Sequence, residues 1–121
     1  MRATSAGVFA TPGVSAPWEV VQIAEEEDLD LSHHTAHPVT RAAFEKADLV
    51  LVMAPFHREE LQAFFGRETG KIRLLSEFAS GKRRGAEIAD PFTLSVAHYR
   101  DTLEEIRESL EGLIRFLRGS A

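Results

Sequence analysis

The stretch Ala47-Asp48-Leu49-Val50-Leu51-Val52-Met53-Ala54-Pro55 is the strongest structural signal in the chain. Leu49 to Met53 are apolar with no polar residue between them. A strand with one wet face alternates; a run that does not alternate predicts a strand buried on both faces, with helices on each side. Downstream, His57 to Phe65 predicts a helix with Leu61, Phe64 and Phe65 apolar and Gly66 as its stop. Lys71 to Leu75 predicts a second short strand, and Ser80 to Gly85 an exposed basic loop. From Ser95 to Arg118, Val96, Tyr99, Leu103, Ile106, Leu110, Leu113 and Leu117 recur every three or four residues. That stripe predicts a long amphipathic helix covering a sheet or another helix.

Upstream the signals are shorter. Thr4 to Ala10 predicts a strand that ends in a turn at Pro12-Gly13. Ser15 is expected to cap a helix with Pro17 in its first turn and with Val20, Val21 and Ala24 facing inward. The acidic run Glu25 to Asp28 opposes the dipole at the end of that helix and predicts fraying there. Asp30 to Pro38 reads as a loop, and Thr40 as the cap of a short helix from Arg41 to Lys46. Strands alternating with helices predict one parallel α/β domain over residues 1–121.

The 121 residues are 44% hydrophobic and carry a formal net charge of −5 with both signs dispersed. This balance suits one soluble domain and gives no basis for nucleic-acid binding. No apolar stretch has the length of a membrane span, and the first residues lack the apolar core of a secretory signal, so a cytoplasmic location is expected. There is no cysteine, which rules out disulfides, thiolate metal sites and a cysteine nucleophile within these residues.

In parallel α/β domains, ligands bind at the carboxyl ends of the strands. The segments expected there are the loop after Gly7, the segment from Ala54 to His57 and the segment from Phe78 to Phe92. The last contains Asp90-Pro91, a pair that forms turns and helix starts irrespective of function.

Four stretches in register give it a second meaning. They are Ser5-Ala6-Gly7-Val8-Phe9, then Asp30-Leu31-Ser32-His33-His34 leading to Pro38-Val39-Thr40, then Ala47 to Met53, and finally Asp90-Pro91-Phe92. Together they resemble the low-molecular-weight phosphatase family of protein-tyrosine phosphatases, protein-arginine phosphatases and related arsenate reductases. The resemblance spans nearly the whole chain. It implies a flavodoxin-like or Rossmann-like three-layer domain. In that family a strand, a loop of the form Cys-x5-Arg-Ser and a helix stand ahead of the Ser-Ala-Gly stretch. Only four residues precede Ser5 here, so the expectation is a domain missing its first strand and helix, about 30 residues. A gene fragment or a misplaced start is the expected origin. The unpaired strand edges that would result predict self-association.

The resemblance also implies roles. Asp90 stands where the family keeps its general acid, which protonates the departing oxygen or nitrogen and later activates water; the plain alternative is a turn residue. Phe9 and Phe92 stand where the family has aromatic walls of the substrate pocket, against the alternative of ordinary core packing. The Phe at position 92 is most similar to the arginine-phosphatase branch. His34 matches a histidine that braces the phosphate loop. Thr93 departs from the glycine usual after the aromatic residue, and His37 from the usual arginine or lysine.

Phosphorus chemistry in this family needs a thiolate to attack and a cradle of N–H groups and arginine to hold the phosphoryl oxygens. With no cysteine, the phosphocysteine intermediate cannot form within these residues. The expectation is therefore a phosphatase of phosphoarginine or phosphotyrosine in proteins that is inactive as this chain alone. The alternative is a non-catalytic remnant that binds a phosphorylated protein. A receiver-like signalling domain fits less well, because Asp48 precedes its strand rather than following it. No cofactor and no metal are expected: His33 and His37 are four apart but lie in a proline-ended loop, with no third ligand evident. Lys82-Arg83-Arg84 reads as a solvated loop that could attract an acidic partner.

Overall fold

A computed structural model describes residues 3–7, 10–66, 70–91 and 94–119. The chain divides into two units, Met1–Ala47 and Asp48–Ala121.

In the first unit, helix α1 spans Trp18–Glu26 and helix α2 spans Arg41–Lys46. Ile23 and Ala24 form the buried side of α1, while Val20 and Val21 are half-buried. Ser15 does not cap α1. The N-cap is Pro17, and Ser15 instead pairs with Thr35 in an isolated antiparallel bridge. At the acidic end the last turn is closed by backbone hydrogen bonds. Leu29 N–H donates to Ala24 O (2.8 Å) and Asp28 N–H to Glu25 O (3.1 Å), with Asp28 at φ 60°. This is the closure that glycine usually provides at a helix end, achieved with an aspartate, which tolerates the left-handed region better than most residues.

The strand expected over Thr4 to Ala10 reduces, among the described residues, to a single parallel bridge between Gly7 and Pro38. Thr40 caps α2 as expected, its Oγ1 accepting from Ala43 N–H at 3.1 Å.

In the second unit, strand β1 (Val50–Val52) pairs in parallel with strand β2 (Ile72–Leu74), aligning Val50 with Ile72, Leu51 with Arg73 and Val52 with Leu74. Helix α3, Pro55–Phe65, connects them and stops at Gly66, φ 88°. Gly66 N–H donates to Gln62 O at 2.9 Å. After β2 the chain turns through a 3₁₀ segment, Leu75–Phe78, and a second one, Gly81–Arg83. Helix α4 then runs Val96–Gly119. Ser95 Oγ accepts from His98 N–H (3.4 Å) at its start.

The core of this unit is Leu75, Ile88 and Leu113, with Leu49, Leu51, Met53 and Ile106 packed around them. The inner face of α4 follows the expected apolar stripe, with Tyr99 and Leu113 buried and Val96, Leu103, Ile106 and Leu117 half-buried, and departs from it at one position. Leu110 is exposed, whereas Ser109 and Leu113 are buried. Ser109 satisfies its hydroxyl by donating to Glu105 O at 2.9 Å. Gly112 lies so close to the 3₁₀ segment that a Cβ there would overlap the carbonyl oxygen of Phe78. A small face at 109 and 112 lets α4 approach backbone directly. No helix among the described residues is long and apolar enough to cross a membrane.

Candidate active site

The site is built at the carboxyl end of β1. Just beyond the strand, Met53 O accepts a hydrogen bond from Ile88 N–H at 2.9 Å. The Ile88 side chain is buried beside Leu75 and Leu113. Main chain and side chain thus both fix residue 88, and Asp90 follows two residues later as an exposed carboxylate. Pro91 O then accepts from Leu94 N–H at 2.8 Å, closing a turn ahead of α4. The segment from Phe78 to Phe92 was expected at the carboxyl ends of the strands, and the bond to Met53 O holds residue 88 there.

The chain leading to Asp90 is tied down further back. Gly85 N–H donates to Ser76 O at 3.0 Å, and Ser76 Oγ donates to Ala86 O at 2.6 Å. Arg83 Nη1 lies 3.0 Å from Glu108 Oε1 on α4, so one of the three basic residues of this loop is engaged. On the other side of the strand end, His57 Nδ1 accepts from Ala54 N–H at 3.2 Å. His57 therefore satisfies a backbone donor at the start of α3. Neither Ser76 nor His57 was singled out from the sequence. The helix was expected to begin at His57, whereas it begins at Pro55 with Ala54 as its N-cap, so the capping place of His57 was not read; Ser76 carried no signal.

Glu77 anchors the base of this region. Its Oε2 accepts from Arg73 Nε at 2.8 Å and its Oε1 from Leu74 N–H at 3.1 Å, with Arg58 Nη2 3.8 Å away. Burial, the largest single influence, pushes its pKa up. The hydrogen bonds from Arg73 and Leu74, with the charges of Arg73 and Arg58, outweigh it and leave the carboxyl below its ordinary 4.5.

In the first unit, His34 lines a shallow hollow with Ser5, Ala6, Gly7 and His37. The hollow forms because Gly7 N–H donates to His37 O (3.0 Å) and Val39 N–H donates to Gly7 O (3.1 Å). The Ser-Ala-Gly stretch and His34 are thereby brought together, while Asp90 belongs to the second unit. Phe9 and Phe92 lie outside the described residues. Residues 33–37 form no helix, so His33 and His37 are not aligned by a helical turn. Among the described residues no three His, Asp or Glu side chains gather as a metal site would require.

Comparison with known proteins bears on this arrangement. The sequence profile of the low molecular weight phosphotyrosine protein phosphatases matches residues 1–120. A protein-arginine-phosphatase of Bacillus subtilis is 35% identical over 114 residues, covering 94% of this chain and 74% of the relative. A probable low molecular weight protein-tyrosine-phosphatase of Ralstonia nicotianae, EpsP, is 28% identical over 94% of this chain and 75% of its own length. Among solved structures, a mutant of the YwlE arginine phosphatase with a phosphorylated active-site serine superposes with a TM-score of 0.83 at 34% identity. It covers 93% of this chain and 72% of that one.

Proposed function

Because the chain belongs to the low molecular weight phosphotyrosine protein phosphatase family, we propose that Asp90 is the proton donor of a protein phosphatase acting on phosphoarginine, with phosphotyrosine the alternative substrate. The observation that carries this is the double fixing of Ile88, which sets an exposed carboxylate at the carboxyl end of β1. Loss of a nitrogen or oxygen leaving group is slow unless it is protonated, and a positioned carboxylic acid contributes about 10²–10⁴-fold to such a step. The same group, once deprotonated, can take a proton from the water that hydrolyses a phosphoenzyme. Preference for phosphoarginine is supported by the arginine phosphatase being the more similar of the two relatives, 35% against 28% identical.

The thiolate is a separate matter. These 121 residues contain no cysteine, so the attacking group of a phosphocysteine mechanism must come from outside them. The chain alone is therefore expected to be inactive. The three-layer arrangement of the complete domain, its phosphorylated protein substrate and a cytoplasmic setting belong to the same proposal.

Turnover of phosphoarginine and para-nitrophenyl phosphate by the purified 121-residue chain tests the inactivity. No release of phosphate above buffer is expected, and release that disappears in Asp90→Asn would overturn it. The acid role is tested after joining a family Cys-x5-Arg-Ser unit to the chain. Asp90→Asn should then lower phosphoarginine turnover about 100-fold or more, with a smaller loss on para-nitrophenyl phosphate, whose leaving group needs a proton less. Equal activity with and without the carboxyl would remove the role. The missing thiol also favours a second reading, a module that binds phosphorylated protein without cleaving it. Calorimetric binding of a phosphoarginine peptide with no phosphate release would support that reading.

A further inference from the structure

The acid of the proposed reaction sits on a segment with little secondary structure, between the 3₁₀ turn ending at Arg83 and the start of α4. Something other than a helix or ladder must fix its path. Ser76 is 2% exposed, one of only two buried polar residues recorded for the described chain, and it lies in the 3₁₀ segment after β2. Its hydroxyl donates to Ala86 O (2.6 Å). Its carbonyl accepts from Gly85 N–H (3.0 Å) while also accepting from Ala79 N–H (3.0 Å) within its own turn. One residue therefore holds two consecutive residues of the loop, Gly85 by its N–H and Ala86 by its carbonyl, with its own carbonyl and its side chain. Ile88 is locked to Met53 O two residues later, and Asp90 stands two residues beyond that. The ion pair of Arg83 with Glu108, both about half exposed, adds only a solvated outer contact.

We propose that Ser76 is a positioning residue for Asp90, acting through the Gly85–Ala86 backbone. A buried hydroxyl that donates to the Ala86 carbonyl cannot be removed without leaving that carbonyl unsatisfied or handing it to water. Its loss would break the tie at Ala86 and leave the segment to the main-chain bond of Gly85 N–H to Ser76 O and to the Ile88 bond. The functional meaning rests on the reading of Asp90 as proton donor; the tether itself does not.

The test is amide hydrogen exchange by NMR on the 121-residue chain. Ser76→Ala should accelerate exchange at Ile88 about tenfold or more while leaving Leu113 in α4 unchanged. Ser76→Thr, which keeps the donor, should restore Ile88 to within about threefold of the unmodified chain. Unchanged exchange at Ile88 in Ser76→Ala, equal acceleration of Ile88 and Leu113, or a threonine variant as loose as the alanine one would each overturn the proposal. If Ser76→Ala does not fold, the unmodified chain decides. A Ser76 hydroxyl proton slow enough in exchange to be seen by NMR supports the tether, and one averaged with water overturns it. No phosphatase step enters these measurements. Failure here removes Ser76 and leaves Asp90; failure of Asp90→Asn in the turnover assay removes the acid and leaves the tether.

Discussion

The two units of the chain are held together by different means. In residues 3–47, two isolated bridges and short backbone hydrogen bonds join the extended segments, and the buried hydrophobic side chains are Ile23, Ala24 and Phe44. In residues 48–119 a parallel pair of strands, a 24-residue helix and a cluster around Leu75, Ile88 and Leu113 close on each other. The first is organised by polar main-chain contacts and caps, the second by apolar packing. Packing of this kind is cooperative and intolerant of added volume, whereas isolated bridges open locally at little cost.

The largest effect should come where α4 meets the 3₁₀ segment. Gly112→Val would drive a side chain into the Phe78 carbonyl, which is backbone and cannot swing aside. A loss of about 3 kcal/mol is expected in urea unfolding followed by far-UV circular dichroism. Exchange should accelerate in α4 more than in α1; equal acceleration in both would break the distinction between the units.

Next in size is Glu77→Gln, expected to cost about 1 kcal/mol at neutral pH, a figure reduced for the partial exposure of its arginine partners. The sign follows from the direction of its pKa. The folded value lies below the ordinary 4.5, so the contribution is complete above that pH and lost as the pH falls through the folded value. The stabilities of the two proteins should converge in acid, and a gap that stayed constant to low pH would show that charge is not the cause.

In the first unit the effects should be smaller. Thr40→Ala removes the acceptor for Ala43 N–H and should cost at most about 1 kcal/mol, because it caps a helix of only six residues. Nuclear magnetic resonance shifts of α2 should move toward coil values. Smallest is Arg41→Ala, which breaks a 3.8 Å pair with Glu45 whose side chains are 60% and 64% exposed. It should change stability by less than about 0.5 kcal/mol. A larger loss there would mean that surface charge matters more to the first unit than its bridges do.

The same contrast explains what was legible in the sequence. The run at Leu49 to Met53, the helix ending at Gly66, the short second strand and the long final helix were readable, because apolar period and glycine stops are local. So was the Thr40 cap. The expected strand at Thr4 to Ala10 shows, among the described residues, only the bridge at Gly7, since strand status depends on a partner that a local pattern does not supply. Helix α4 and most of its inner face were placed correctly, Leu110 excepted, but the two small residues on that face were not. Hydrophobicity cannot reveal that Ser109 and Gly112 face inward because they are small. Asp90 and His34 could be named only through a family resemblance. Asp-Pro and a loop histidine are common, and the ties that hold the Asp90 segment arise from residues distant in sequence.

The lack of alternation in β1 has one more consequence. Sliding an alternating strand by one residue exchanges its greasy and wet faces, a penalty that fixes its alignment. Sliding Leu49-Val50-Leu51-Val52-Met53 by one residue exchanges one aliphatic group for another. The faces of β1 therefore carry almost no information about where it should stop. That information lies at its ends, in Val50 N–H to Lys71 O at 2.9 Å and Met53 O to Ile88 N–H at 2.9 Å. Interchanging valine and leucine along the strand should be forgiven, while disturbing either terminus would let the strand lose its place, and Asp90 with it.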